Sequence, residues 1–383
     1  MPKKIFYTGI FIISVFEVMN VYFIMPMPGS QGTDSIDTAY FLYSNRWYFR
    51  IFAGILIASS IIPVVKNKPL LVPAIVIVTS VTIIYIFNFN MNAESMFKQP
   101  EKLILKTRAE NIISDSSIVI CVENDGEVKA YPVRFLSYHH QVQDSVGNLS
   151  LLITYCNVCR TGRVYIPQVK GQPEKFRLVG MDQYNAMLED AGTKSWWRQA
   201  TGEAIAGPQQ GEILPEVKSV QLTVRKLFEL YPHALVMQPD KAALKKYDIS
   251  GKFEQGKSTG RLTRTDTLSW KEKSWIIGIR TGSESKAYDW NYLKNQRIIN
   301  DKIGSIPIII ILSVDGQSFA AFERPEETKY FFMKNDTLVT EGEIYDFTGN
   351  GLGTTTKALT RINAYQEFWH SWQTFHPGSQ IFK

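Results

Sequence analysis

The sequence predicts a mixed α+β protein, mainly β, in which about three N-terminal transmembrane helices precede two duplicated β-rich modules with short helices. Two observations predict this. Apolar residues concentrate in three long runs before residue 93, and a segment beginning at Ile120 returns, identical at several positions, from Ile277.

The apolar runs give spans at about 5–27, 48–66 and 70–90, within an anchor covering 1–93. Each approaches the roughly 17–25 residues that a hydrocarbon core requires; Trp47 and Tyr48 complete the second and suit an interface. Lys3 and Lys4 ahead of the first run also fit a cleaved signal peptide. Glu17 and Asn20 interrupt that run and no small-residue cleavage site follows, so it is expected to stay as a span, with Glu17 facing the other helices. Basic residues in short loops (Lys3, Lys4, Lys66 and Lys68) place the N-terminus and second loop in the cytoplasm, although Arg46, Arg50, Lys98, Lys102 and Lys106 then lie outside. Three crossings put the rest of the chain on the extracytoplasmic side.

A polar connector, 94–111, leads into a first module at 112–240 and a second, degenerate one at 270–383. Lys129-Ala130-Tyr131 matches Lys286-Ala287-Tyr288, Leu136 matches Leu293, Asp144 matches Asp301 and Gly147 matches Gly304, all at an offset of 157 residues. Short apolar runs bounded by turn signals, such as Ile118 to Val122 before Asn124-Asp125-Gly126, read as hairpins. Helical patterning is confined to pieces such as Val224 to Tyr231 and Ala364 to Phe375. The net charge of +6 is scattered without a basic stripe, so no nucleic-acid partner is expected; membrane lipid is, together with a membrane-protein partner.

One pattern carries chemistry, Cys156-x-x-Cys159, at the exit of an apolar strand from Leu149 to Tyr155, with Gly162 expected to let the chain reverse. Where the first module has His139, Cys156 and Cys159, the second has Gln296, Ser313 and Gly316, so any site belongs to the first. Two thiolates with the His139 imidazole, and His140 as a further candidate, form a soft ligand set suited to copper or zinc; this is the leading expectation. The same spacing also serves thiol–disulfide exchange, which would make the protein an oxidoreductase. A plain disulfide stapling a turn, in a non-catalytic interaction module, is the third reading. Asp190, Trp197, Gln199 and Glu203 are candidate pocket residues, with Asp190 and Glu203 as acid or base; a turn with an aromatic core anchor accounts for the same run. Cys121 reads as a core residue, and His233, His370 and His376 as packing or surface groups. Gly349-x-Gly351-x-Gly353 lacks the spacing of a phosphate loop.

Several words resemble a family of uncharacterised bacterial proteins, the DUF3179 domain of unknown function. They are Ala130-Tyr131-Pro132, His139 followed by Val142 and Asp144, Thr154-Tyr155-Cys156-x-x-Cys159, Asn185 and Asp190, and Ser195-x-Trp197-x-Gln199-x-Thr201-Gly202-Glu203-Ala204-Ile205-x-Gly207. The resemblance covers residues 112–383 and implies a bacterial protein, so the spans are expected in an inner (plasma) membrane; it implies no reaction. This chain departs from the family pattern in having His140 where Glu usually follows the histidine, and Arg160 where Gly usually follows the second cysteine.

Overall fold

A computed structural model describes residues 1–66, 69–248, 250–354 and 356–383; Lys68, used above for orientation, lies outside the described residues. The chain divides into two compact units: residues 1–98 with 174–198 and 203–213, and residues 99–173 with 199–202 and 214–383. The first therefore takes up residues that the sequence reading assigns to the first β-rich module.

In the first unit three helices are long and apolar enough to cross a membrane, Pro2–Tyr22, Arg46–Lys66 and Leu71–Asn90, the last ending in a π turn. They pack closely. A Cβ on Gly9 would lie 2.9 Å from Ile57 Cγ1 and 3.1 Å from the Ala53 carbonyl, a spacing that only a small residue permits between helices. Their outer faces expose Ile51, Ile55, Ile62, Val72, Ile75 and Val78, the surface a hydrocarbon solvent favours. Glu17 is buried among the helices, accepting from Arg50 Nε (2.7 Å) and Nη2 (2.9 Å) and from Asn88 Nδ2 (2.9 Å). A polar group removed from water is expected to find such partners inside a bundle.

The rest of this unit is a four-stranded antiparallel sheet, Phe176–Asp182, Asn185–Asp190, Trp196–Arg198 and Ala204–Ala206. It joins the helices through the segment between the first two. Met181 N donates to Ile24 O at 2.7 Å, and Trp196 meets Tyr40 and Tyr43 edge to face at 5.0 and 5.3 Å. At Gly180 a Cβ would sit 2.4 Å from the Ile24 carbonyl, so the strand can approach that closely only as glycine.

The second unit repeats one succession of elements. Ile118–Asn124, Glu127–Pro132, helix Val133–His139, Gln141–Val146 and Leu149–Cys156 are followed, 157 residues on, by Trp275–Thr281, Glu284–Asp289, helix Trp290–Gln296, Ile298–Ile303 and Ile306–Leu312. The pairing repeats too. Leu235–Met237 runs parallel to Glu127–Pro132, and Gln380–Ile381 parallel to Glu284–Asp289. Val220–Thr223 borders Ile118–Asn124, and Ala364–Phe368 borders Trp275–Thr281. The two sets cross over: Gln221 pairs with Phe319, so the first set's sheet continues into Phe319–Glu323, Ile306–Leu312 and Ile298–Ile303 of the second. A core from Ile118, Tyr131, Leu136 and Leu151 to Ile309 and Phe322 draws on both sets, and a separate one gathers Ile277, Tyr288, Ile310 and Phe368.

One helix is shorter than its pattern suggested. Ala364–Phe368 is a strand and only Trp369–Phe375 is helical; Tyr365, Phe368, Trp369 and Trp372 satisfy a helical period, yet the ladder to Trp275–Ile279 claims the first five residues.

Candidate functional site

The Cys pair closes a hairpin. Leu149–Cys156 and Thr161–Tyr165 are antiparallel, with Tyr155 opposite Gly162 and Cys156 opposite Thr161. Reversal occurs at Arg160, whose φ of 56° is left-handed, not at Gly162. Gly162 serves packing instead, since a Cβ there would lie 2.3 Å from Ile120 Cδ1.

Both cysteines are fully buried, and Cys159 hydrogen-bonds with Cys156 and with the Ser371 hydroxyl. Burial, then Cys156, pushes the Cys159 thiol well above its usual range, so the thiolate is disfavoured. The turn is clamped on every side. Phe368 N donates to Cys159 O at 2.9 Å, and Lys273 Nζ donates to Val158 O at 2.9 Å, to Leu262 O at 3.0 Å and to His370 Nε2 at 3.0 Å. Burial holds the Lys273 ammonium below its ordinary value, while burial and then Lys273 bring His370 down to about 4. Arg160 is buried, stacks 3.6 Å over the Trp275 ring and donates to Gln366 Oε1, Phe253 O and Glu254 O.

Behind the pair runs a chain of hydrogen bonds. Ser371 Oγ, in contact with Cys159, donates to Glu367 Oε1 at 2.5 Å, and Glu367 Oε2 accepts from Arg163 Nη2 at 2.9 Å. Arg163 and Glu367 are both buried, and the guanidinium lies 3.4 Å over the Tyr365 ring. Sequence reasoning missed Arg163, Lys273, Glu367, His370 and Ser371 as neighbours of the turn. Four of the five come from the second set of elements, so no local spacing could reveal them.

The proposed ligands are placed differently. His139 Nε2 lies 2.7 Å from the Tyr247 hydroxyl. His140 caps the helix at φ 60° and donates from Nδ1 to Tyr155 O at 3.0 Å. Among the described residues no group of three or more His, Cys, Asp or Glu side chains is arranged to hold a metal ion. Asp190 and Trp197 belong to the first unit, where Asp190 Oδ2 accepts from Trp197 Nε1 (2.9 Å), Thr193 Oγ1 (2.7 Å) and Ser195 N (3.1 Å). Glu203, in the same unit, meets Arg198 at 3.3 Å. Gln199 lies in the second unit, fully buried, donating to Thr154 Oγ1 and Thr161 O.

Fold and site together define a mixed α+β protein with three apolar N-terminal helices and a buried, clamped Cys-x-x-Cys turn. The chain belongs to the family described as protein of unknown function (DUF3179), whose match spans residues 99–379. No curated protein and no solved structure matches it.

The histidines predict a pH response. Burial brings His140, like His370, down to about 4, whereas an unfolded histidine titrates near ~6.5. Between those values the unfolded chain binds more protons, so stability is complete above the unfolded value and is lost as pH falls toward 4. The urea midpoint of the purified chain should drop between pH 7 and 4.5, and His140→Asn, which tolerates the left-handed backbone, should flatten the drop. A midpoint independent of pH would contradict the buried neutral imidazoles.

Proposed function

We propose that this chain is a non-catalytic, membrane-anchored interaction module whose Cys156–Cys159 turn is a structural staple. The three apolar helices support residence in a bacterial inner membrane as a multi-pass protein in contact with lipid, and Lys3, Lys4 and Lys66 support the soluble part lying outside the cytoplasm. A second membrane protein is the expected partner. The recurrence of elements at a constant offset supports an origin by duplication.

The observation that carries the reading is the full burial of both sulfurs inside a turn whose carbonyls are held by Lys273 and Phe368. A reactive cysteine needs access and an electropositive setting that lowers its pKa; here burial raises it. In an oxidising compartment the two thiols lose two protons and two electrons to a disulfide donor while the folding chain still exposes them, and the bond is then buried with the turn.

Intact-mass analysis with thiol trapping, beside elemental analysis of the full chain purified without chelator, tests this. With trapping under denaturing conditions, the expected result is a mass short of two hydrogens, one trapped thiol, that of Cys121, and no metal, with Cys156→Ser lowering stability by about 2 kcal/mol. Near-stoichiometric copper or zinc, lost from a Cys156→Ser/Cys159→Ser variant, would replace the staple with the metal site. A pair that cycles at a measurable potential in the native chain would make the protein a thiol–disulfide oxidoreductase.

A further inference from the structure

The second unit contains a cleft of about 470 Å³, within the range of small-molecule sites. Its walls come from Thr161–Tyr165, the hairpin end after Trp275–Thr281, the end of Phe319–Glu323, and the chain around Glu216 and Arg361. Four cations, Arg163, Lys218, Arg280 and Arg361, face two carboxylates, Glu216 and Glu323.

Two of these charges are matched already. Glu367 neutralises Arg163 from behind, and Glu216 accepts from the Tyr365 hydroxyl and lies 3.8 Å from Arg163. Among the described residues no ion pair joins Lys218, Arg280 or Arg361 to any carboxylate, and Lys218 and Arg280 are exposed to solvent. The cleft also holds two shielded polar atoms that meet no hydrogen-bond partner in the described residues, Thr281 Oγ1 and His376 Nε2. An unmatched buried donor is costly, and a native fold keeps one where a ligand or water completes it. The His376 ring registers the local potential: burial first, then Arg163 and Arg280, hold it down to about 3, so it is a neutral donor at pH 7.

We propose that this cleft binds a small organic anion through a carboxylate or phosphate group, with Lys218 and Arg280 as cationic arms and Thr281 and His376 as neutral donors. A planar guanidinium beside a hydroxyl and an imidazole suits an oxyanion with several acceptor oxygens. Glu323, on the same wall and in no ion pair among the described residues, favours a ligand that also offers a hydroxyl or ammonium donor, as sugar phosphates and amino acids do. The inference deepens the interaction-module reading and rests on it, but the two fail separately. The cysteine experiment reads thiol and metal state, whereas this one reads a cleft whose variants leave Cys156 and Cys159 intact.

Titration calorimetry of the full detergent-solubilised chain, at fixed ionic strength, would use succinate, inorganic phosphate and glycerol 3-phosphate as probes. Saturable binding of at least one is expected, weakened about tenfold or more by Lys218→Ala/Arg280→Ala and separately by His376→Phe. Stronger binding of the phosphates than of succinate would assign the group as phosphoryl, and the reverse as carboxylate. Because Lys218 and Arg280 are exposed, the double variant should keep the native urea midpoint, which separates lost binding from lost fold. Absence of saturable binding by all three probes, or affinity unchanged in the folded double variant, would overturn the proposal.

Discussion

Glu367→Ala should lower the stability of the second unit by about 3–5 kcal/mol, seen as a fall in the urea midpoint followed by tryptophan fluorescence. The size follows from burial. Glu367 and Arg163 are shielded almost completely, and removing the carboxylate strands a guanidinium whose remaining counter-charge among the described residues is Glu216, 3.8 Å away and partly exposed. It also strips the acceptor from Ser371 Oγ, the hydroxyl in contact with Cys159. Against a typical total of about 5–15 kcal/mol, such a loss is a large fraction of what holds a domain together. The companion variant Arg163→Met/Glu367→Leu removes both charges and should recover most of the loss, because the penalty belongs to the unpaired ion rather than to the missing pair. A single variant within about 0.5 kcal/mol of the native chain would mean that water reaches Arg163 and the pair is not buried in solution.

The parts of this molecule legible in its sequence are those written in local patterns. Apolar runs announced the three long helices, and the constant offset between Lys129-Ala130-Tyr131 and Lys286-Ala287-Tyr288 announced strands that recur in the same order. What stayed hidden depends on pairing across the chain. Glu367 meets Arg163 across 204 residues, and Arg160 meets Gln366 across 206; neither carries a spacing signal. The grouping of Trp196 with Tyr40 and Tyr43 was invisible for the same reason, since a polar-flanked aromatic run looks alike whether it packs on its own module or on the short helix Ile36–Ser44 between apolar helices.

The asymmetry between the two sets of elements also reads differently in three dimensions. Cys156 and Cys159 have Ser313 and Gly316 as counterparts, which from sequence alone favoured a single chemical site. Both turns nevertheless receive the strand end that crosses from the other set. Phe368 N donates to Cys159 O, and in the corresponding place Thr223 N donates to Ser318 Oγ while Thr223 Oγ1 donates to Asp315 Oδ2. One turn is secured by sulfur and buried cations, the other by hydroxyls and a carboxylate. Equivalent mechanical positions met by different side chains argue for a structural reading of the cysteines.

Arg160 offers a test in which backbone and side chain pull in opposite directions. At φ 56° any L-residue is disfavoured by about 1–2 kcal/mol relative to right-handed backbone, and glycine removes that cost. The guanidinium returns more than the backbone loses. It lies 3.6 Å over Trp275, and its donors reach Gln366 Oε1 at 3.0 Å, Phe253 O at 2.9 Å and Glu254 O at 3.0 Å, all in the interior. Deleting it takes the side-chain donor from the Glu254 carbonyl, at about 1–3 kcal/mol before relaxation, leaves Phe253 O with Gly256 N and Gln366 Oε1 with a long bond from Gln221 Nε2 (3.4 Å), and opens a gap beside Trp275. Arg160→Ala should therefore be the least stable form, by about 3 kcal/mol or more, because it loses the contacts and keeps the strained backbone. Arg160→Gly should fall between Ala and the native chain, better than Ala by about 1 kcal/mol. The order native, Gly, Ala in urea midpoints would establish that the cation tying the cysteine turn to Trp275 and Gln366 contributes more than the left-handed backbone costs. A Gly variant as stable as the native chain or more so would show that the stack contributes nothing beyond filling space, and that the turn is held by Lys273 and Phe368 alone.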